Sequence, residues 1–206
     1  PKPLCGGCGA KLGRDALSAA LSTLAPVQGS DITSLPGDDA ALLTTGGAQQ
    51  VFTTDHLRSF WADPAVMARI ATQHALGDIW AMGANPQAAT LSITLPRLSD
   101  TLAQRSLTEI LNAAQAILQE AGAEIVGGHS TIGDELSIGL ALTGLCDQTP
   151  ITLSGAQDGA ALILTKPIGT GVIMAALMSG KARGADVASA LEAMQHGQKT
   201  AAHILR

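Results

Sequence analysis

Apolar positions along this chain recur with two periods, and the switches between them mark out the elements. Over residues 14–24, Leu17, Ala20, Leu21 and Leu24 fall at helical spacing, and Asp15 lies in the first turn, where the helix dipole favours an acid. Residues 51–54 read as a strand with Asp55 at its C-terminal end. Asp63 followed by Pro64 joins a capping acceptor to a proline suited to the first helical position, and the pattern runs to about Met82, where Gly83 and Pro86 end it. Residues 87–95 alternate as a strand. Residues 100–121 form a long amphipathic helix with Leu107, Ile110, Ala114 and Leu118 on one face and Gly122 as its stop. Residues 123–126 and 136–145 complete a count of four strands.

The order α, β, α, β, α, β, β predicts an α+β fold with a mixed sheet, one crossover unit and a terminal hairpin. The polar stretch 147–159 is the expected boundary, giving an N-terminal domain over 1–150 and the beginning of a second over 151–206. In the latter, residues 161–164 read as a strand, Gly169-Thr170-Gly171 leads into a helix ending at Gly180, and residues 185–206 read as a further helix.

Composition narrows the class. Hydrophobic residues make up 46% of the chain and charged residues 14%, enough apolar material for a packed core. The net charge of −5, with two Phe, two Trp and no Tyr, argues against a nucleic-acid partner, which needs cations and stacking surfaces. No apolar run is long enough to span a membrane. Three cysteines, two of them spaced as Cys5-Gly6-Gly7-Cys8, do not make a disulfide framework, so a reducing, cytoplasmic location is expected. A start at Pro1 without a signal-peptide pattern, and a stop at Arg206 inside a helical pattern, read as an excerpt of a longer polypeptide.

Four carboxylates stand where a purely structural sequence would not put them. Asp78 sits within an apolar helix, one turn after His74, and burying an ionised carboxylate alone costs on the order of several kcal/mol. Asp38, Asp39 and Asp55 lie at loop or strand-end positions. Oxygen-only clusters of this kind suit Mg²⁺, which takes one or two carboxylates together with substrate phosphates. The structural alternative has Asp38-Asp39 as a solvated turn, Asp55 capping a strand and Asp78 paired with His74. Gly127-Gly128-His129-Ser130 after a strand is either a plain turn or a backbone cradle able to approach phosphate, and no Walker or dinucleotide-binding pattern is present. In Cys5-Gly6-Gly7-Cys8-Gly9-Ala10-Lys11, the Lys11 ammonium would raise the thiolate fraction of a nearby cysteine. Half a zinc site, a redox dithiol and chance thiols among glycines are the competing readings.

Together these motifs resemble the selenophosphate synthetases (selenide, water dikinases), in the superfamily that also holds aminoimidazole ribonucleotide synthetase, thiamine-phosphate kinase and a hydrogenase maturation factor. The matching pieces are Cys8-Gly-Ala-Lys11, GDDAAL, TTD ending at Asp55, ALGDIWAMGANP, GGHS, LALTG and LTKPIGTGV. They run over nearly the whole chain, which corresponds to rather more than half of a typical member. The resemblance implies an ATP-dependent synthesis of selenophosphate from selenide and water, releasing AMP and phosphate, with Mg²⁺ as cofactor. It implies Cys8 and Lys11 as catalytic residues on a mobile N-terminal segment of about residues 1–14. Asp39 and Asp78 become metal ligands. Lys11, Asp38, Asp55, Asp78, Gly128, His129 and Ser130 become ATP contacts, the glycine-rich stretch reaching across from the partner of a homodimer that pairs through its sheets. A fused oxidoreductase domain upstream is a further expectation.

The chain also departs from the family pattern. Ala10 stands where many members carry a second cysteine or selenocysteine, His74 replaces the usual Asn one turn before Asp78, and Pro36-Gly37 replaces polar residues that help hold ATP. The family's third metal-binding Asp belongs to a D-x-T-G-x-G motif that would fall beyond Arg206, so the chain alone is expected to be inactive. Two other functions stay open: an ATP-binding superfamily member with a different phosphoryl acceptor, and a non-catalytic dimerisation or nucleotide-binding module.

Overall fold

The computed structural model describes residues 13–35 and 37–206. Helix α1 (Arg14–Leu21) is followed by a short strand β1 (Ile32–Thr33), then β2 (Ala41–Thr45), β3 (Ala48–Arg58) and α2 (Pro64–Ala81). Next come β4 (Asn85–Pro96), α3 (Asp100–Ala121), β5 (Glu124–Gly133) and β6 (Ser137–Cys146). After a single 3₁₀ turn (Leu153–Gly155), three helices finish the chain: α4 (Thr170–Met178), α5 (Gly184–Gln195) and α6 (Lys199–Leu205).

The two long helices begin and end where their caps dictate. Asp63 accepts a hydrogen bond from the Val66 amide at 2.9 Å, satisfying one of the orphan donors of the first turn of α2, and Pro64 lacks the amide that would have needed a partner. Helix α3 opens on Ser99 and closes on Gly122, whose φ of 92° is readily reached only without a Cβ.

One six-stranded sheet runs in the order β1-β2-β3-β6-β4-β5, antiparallel throughout except for the parallel pair β4–β5 that α3 connects. The expected α+β mixed sheet and crossover unit are therefore present, but the terminal hairpin is not. Instead of pairing with β5, β6 inserts between β3 and β4. Its alternate residues Ile138, Leu140 and Leu142 are almost fully buried, and a strand this apolar is best covered in the middle of the sheet.

Strands β1 and β2 add two to the four expected, and residues 161–164 form no strand. Leu162, Ile163 and Leu164 are exposed and have no strand partner among the described residues, so their β propensity has nothing to pair with. Residues 185–206 split into α5 and α6 around Gly197 rather than forming one helix.

Helices α2 and α3 cover one face of the sheet. Period-2 alternation sends Val51, Thr53, Asp55 and Leu57 of β3 toward α2, while Phe52, Thr54 and His56 face the other way and stay exposed. Met67, Leu76 and Ile79 of α2 meet Ile110, Ala114 and Leu118 of α3 and the inward residues of β6 in the main core. On its other side α2 offers Ile70 to a smaller cluster with Met174, Val187 and Leu191, which fastens α4 and α5 to it. Helix α2 is thus apolar nearly all round because it is enclosed nearly all round. No helix among the described residues is long and apolar enough to cross a membrane.

Candidate active site

Three of the acids singled out by the sequence come from three separate stretches and converge where β3 lies against α2. Asp39 is in the turn before β2, Asp55 is on the inward face of β3, and Asp78 is in the last turn of α2. Thr53, two residues before Asp55 and on the same face, donates its hydroxyl to Asp78 Oδ2 at 2.7 Å. Burial pushes the Asp78 carboxyl above its ordinary value, against the hydrogen bond from Thr53, and the nearby charges of Asp55 and Asp39 push it further. The nearby His74 acts in the opposite direction. Asp78 is therefore a carboxylate under electrostatic stress that a cation would relieve.

Asp55 lies three residues inside the end of β3 rather than at its terminus, and both of its oxygens are engaged. Oδ2 is 2.8 Å from His74 Nε2, and Oδ1 accepts from the His56 amide at 2.8 Å. The pairing of His74 with Asp78 considered for the structural reading is thus replaced by a pairing with Asp55, reached across the β3–α2 interface. Asp38 Oδ1 accepts from the Leu153 amide at 2.6 Å, tying the turn before β2 to the segment after β6. Asp39 is exposed and lines, with Asp38, Thr53 and Phe52, an open cleft of about 760 Å³ that also takes in the apolar side chains of Leu24 and Val27.

Gly128, His129 and Ser130 are not in a loop. They lie within β5, paired with Leu91, Ser92 and Ile93 of β4, just past a register shift at Ala89/Thr90. The glycine at 128 has a packing reason, since a Cβ there would lie 2.2 Å from the Leu91 carbonyl oxygen. His129 lines a shallow depression of about 530 Å³ on the helix-free face of the sheet, with Thr54, His56, Thr90 and Ser92. That face is separate from the Asp55–Asp78 side of β3. Cys8 and Lys11 lie outside the described residues.

Two participants were missed in the sequence. Thr53 was legible only as part of a strand, although alternation in Thr53-Thr54-Asp55 already put it on the face of Asp55. The partnership of His74 with Asp55 spans different elements and left no periodic trace.

As donors for a divalent cation, the carboxylates of Asp39 and Asp78 are hard oxygens of the right kind, and the mutual repulsion felt at Asp78 puts them within electrostatic reach. They fit Mg²⁺ in chemistry and charge. Among the described residues no three His, Cys, Asp or Glu side chains are gathered closely enough to enclose an ion by themselves.

A mixed sheet backed by two helices, with acids from a turn, a strand and a helix converging at one place, defines a recognisable class. Residues 37–146 match the family model of AIR synthase related protein, N-terminal domain, and the chain belongs to that family. Among curated proteins it is 40% identical over 207 residues to selenide, water dikinase of Desulfitobacterium hafniense (strain Y51), covering 98% of this chain and 59% of that protein. The selenide, water dikinase of Myxococcus xanthus (strain DK1622) is 36% identical over 182 residues, covering 86% of this chain and 51% of that protein. The chain thus spans between half and three fifths of the length of these relatives. Among solved structures, a Thermus thermophilus protein aligns with a TM-score of 0.57 at 23% identity, covering 68% of this chain and 45% of that one. AaThiL complexed with AMPPCP and TMP aligns with a TM-score of 0.57 at 20% identity, over 69% of this chain and 43% of that one. These two share the fold.

Proposed function

We propose that this chain is the nucleotide-binding part of a selenide, water dikinase, which converts ATP, selenide and water to selenophosphate, AMP and phosphate. The observation that carries the reading is the convergence of Asp39, Asp55 and Asp78, which leaves Asp78 a half-buried carboxylate crowded by like charges. The 40% identity to selenide, water dikinase over nearly the whole chain supports the choice of reaction.

In this reading Asp39 and Asp78 hold Mg²⁺, which when bound offsets the charge of the triphosphate. Thr53 fixes the orientation of Asp78 by its hydrogen bond. Asp38 and Asp55 orient the nucleotide, Lys11 stabilises charge developing on the transferred phosphoryl group, and Cys8 is the reactive thiol. Gly128, His129 and Ser130 serve the nucleotide of the partner in a homodimer. The helix-free sheet face, with Phe52 44% exposed, and the exposed edge strand β5 are surfaces that such pairing would cover. Residues 1–150 form the nucleotide-binding domain, residues 151–206 begin a second one, and the protein works in the cytoplasm.

Incubation of the protein that carries this chain with ATP, Mg²⁺ and selenide is expected to release AMP and orthophosphate only when selenide is present. ATP turnover indifferent to selenide overturns the reading. Cys8→Ser is expected to abolish the selenide-dependent reaction, whereas unimpaired turnover points to a family member with another phosphoryl acceptor.

A further inference from the structure

The carboxylates at this site are not equivalent. Asp55 is held at both oxygens, by the His74 ring at 2.8 Å and by the His56 amide at 2.8 Å, and its side chain is only 17% exposed. Asp39 is exposed to the cleft, and Asp78 takes its hydrogen bond from a neutral hydroxyl. His74 reaches Asp55 from α2, the same helix that supplies Asp78 one turn later. It also opposes the repulsion at Asp78.

From this geometry we infer that His74 is a positioning residue that sorts the acids: by engaging Asp55 it keeps that carboxylate out of the cation shell and leaves Asp39 and Asp78 to hold the metal. The inference rests on the reading of Asp39 and Asp78 as metal ligands and deepens it. It assigns a role to His74, which sits on α2 one turn before Asp78 and faces the β3 carboxylate. A carboxylate held on one oxygen by the close contact with the His74 ring and on the other by the His56 amide presents a fixed acceptor to a nucleotide hydroxyl, whereas a loose one would swing toward the ion. Its release should strengthen metal binding, since a third anionic ligand joins the shell.

Mn²⁺ binding, followed by the paramagnetic resonance signal of the free ion, tests this without reference to turnover. His74→Leu removes the ring and its nitrogens, and is expected to tighten Mn²⁺ binding roughly two- to fivefold, the range for a single ion-pair interaction. The double variant His74→Leu/Asp55→Asn should lose that gain, because the freed carboxylate is what produces it. A merely structural disturbance at position 74 would not be undone at position 55. His74→Ala, which also removes the ring and its nitrogens, is expected to tighten binding in the same direction if His74→Leu fails to fold. Mn²⁺ affinity unchanged or weakened in both single variants overturns the inference, as does a gain that persists in the double variant. The underlying reading fails separately: in that case the unsubstituted protein binds no Mn²⁺, or Asp78→Asn binds it as tightly as the unsubstituted protein.

Discussion

Gly128→Ala separates packing from ligand binding at the GGHS stretch. The added Cβ would lie 2.2 Å from the Leu91 carbonyl oxygen, and 3.0 and 3.1 Å from the Leu91 amide nitrogen and carbonyl carbon. Carbon–oxygen contacts between neighbouring strands normally fall at about 3.3–3.6 Å, so the overlap with the oxygen exceeds roughly 1 Å. Leu91 has no room to retreat, because it is 3% exposed and paired on its other side with Leu140 of the central strand. The edge strand β5 must therefore move off and give up part of its ladder. Overpacking of this kind costs about 1–3 kcal/mol, and for a chain of this size each kcal/mol lowers Tm by about 2–4 °C. The expected fall is then about 2–12 °C in thermal unfolding followed by circular dichroism. Gly127→Ala is the control: the nearest atom to its added Cβ is Thr90 Cγ2 at 4.0 Å, so its Tm should hold or rise slightly. Equal melting of the two variants would refute the packing argument, whatever either does to ATP affinity.

Asp78→Asn is expected to stabilise the metal-free protein at neutral pH and to weaken divalent-cation binding. Because the folded-state pKa of Asp78 is raised, stability is greatest where the group is protonated and falls as pH rises from the ordinary carboxylate value through the raised one; the Asn variant should therefore gain at pH 7 and lose its advantage near pH 3, read from paired melting curves. Asp63→Ala removes the hydrogen bond to the Val66 amide and should cost about 1 kcal/mol, seen as a Tm lower by about 2–4 °C; an unchanged Tm would mean that Pro64 and packing alone set the start of α2.

The parts of this fold that could be read in advance are those whose signals are local. Asp63-Pro64 and Gly122 mark the start of α2 and the end of α3 because caps act within a turn of the residues that supply them. The strand errors share one cause, which is that pairing is decided elsewhere in the chain. Gly127-Gly128 looks like a turn, yet it continues β5 because β4 beside it accepts a strand with no side chain at 128. Residues 136–145 look like the second arm of a hairpin with 123–126, yet β3 and β4 both claim them. Residues 161–164 have the composition of a strand and no strand partner among the described residues. In the site, Asp78 was legible because a charge in an apolar helix violates the local pattern, whereas Thr53 and the His74–Asp55 pair follow from how β3 lies on α2.

That same contact explains why the acids sit where they do. Helix α2 is enclosed on nearly every side, so its position is fixed by Met67, Leu76 and Ile79 in the main core and by Ile70 in the smaller one. Strand β3 is fixed by its ten-residue pairing with β6. Asp55 and Asp78 are therefore carried on two elements that have little freedom to separate when their charges repel. Relief by side-chain rotation is restricted as well, by Thr53 at Asp78 and by His74 and the His56 amide at Asp55. A rigid frame that holds like charges together keeps its repulsion until a counter-charge arrives, and the energy released then adds to the affinity for that counter-charge. Asp39 is the exposed member, on a turn tied through its neighbour Asp38 to the Leu153 amide. In the proposed reading the ion is held by one fixed acid, Asp78, and one turn-borne acid, Asp39, while Asp55, held in place beside them, is left to face the nucleotide.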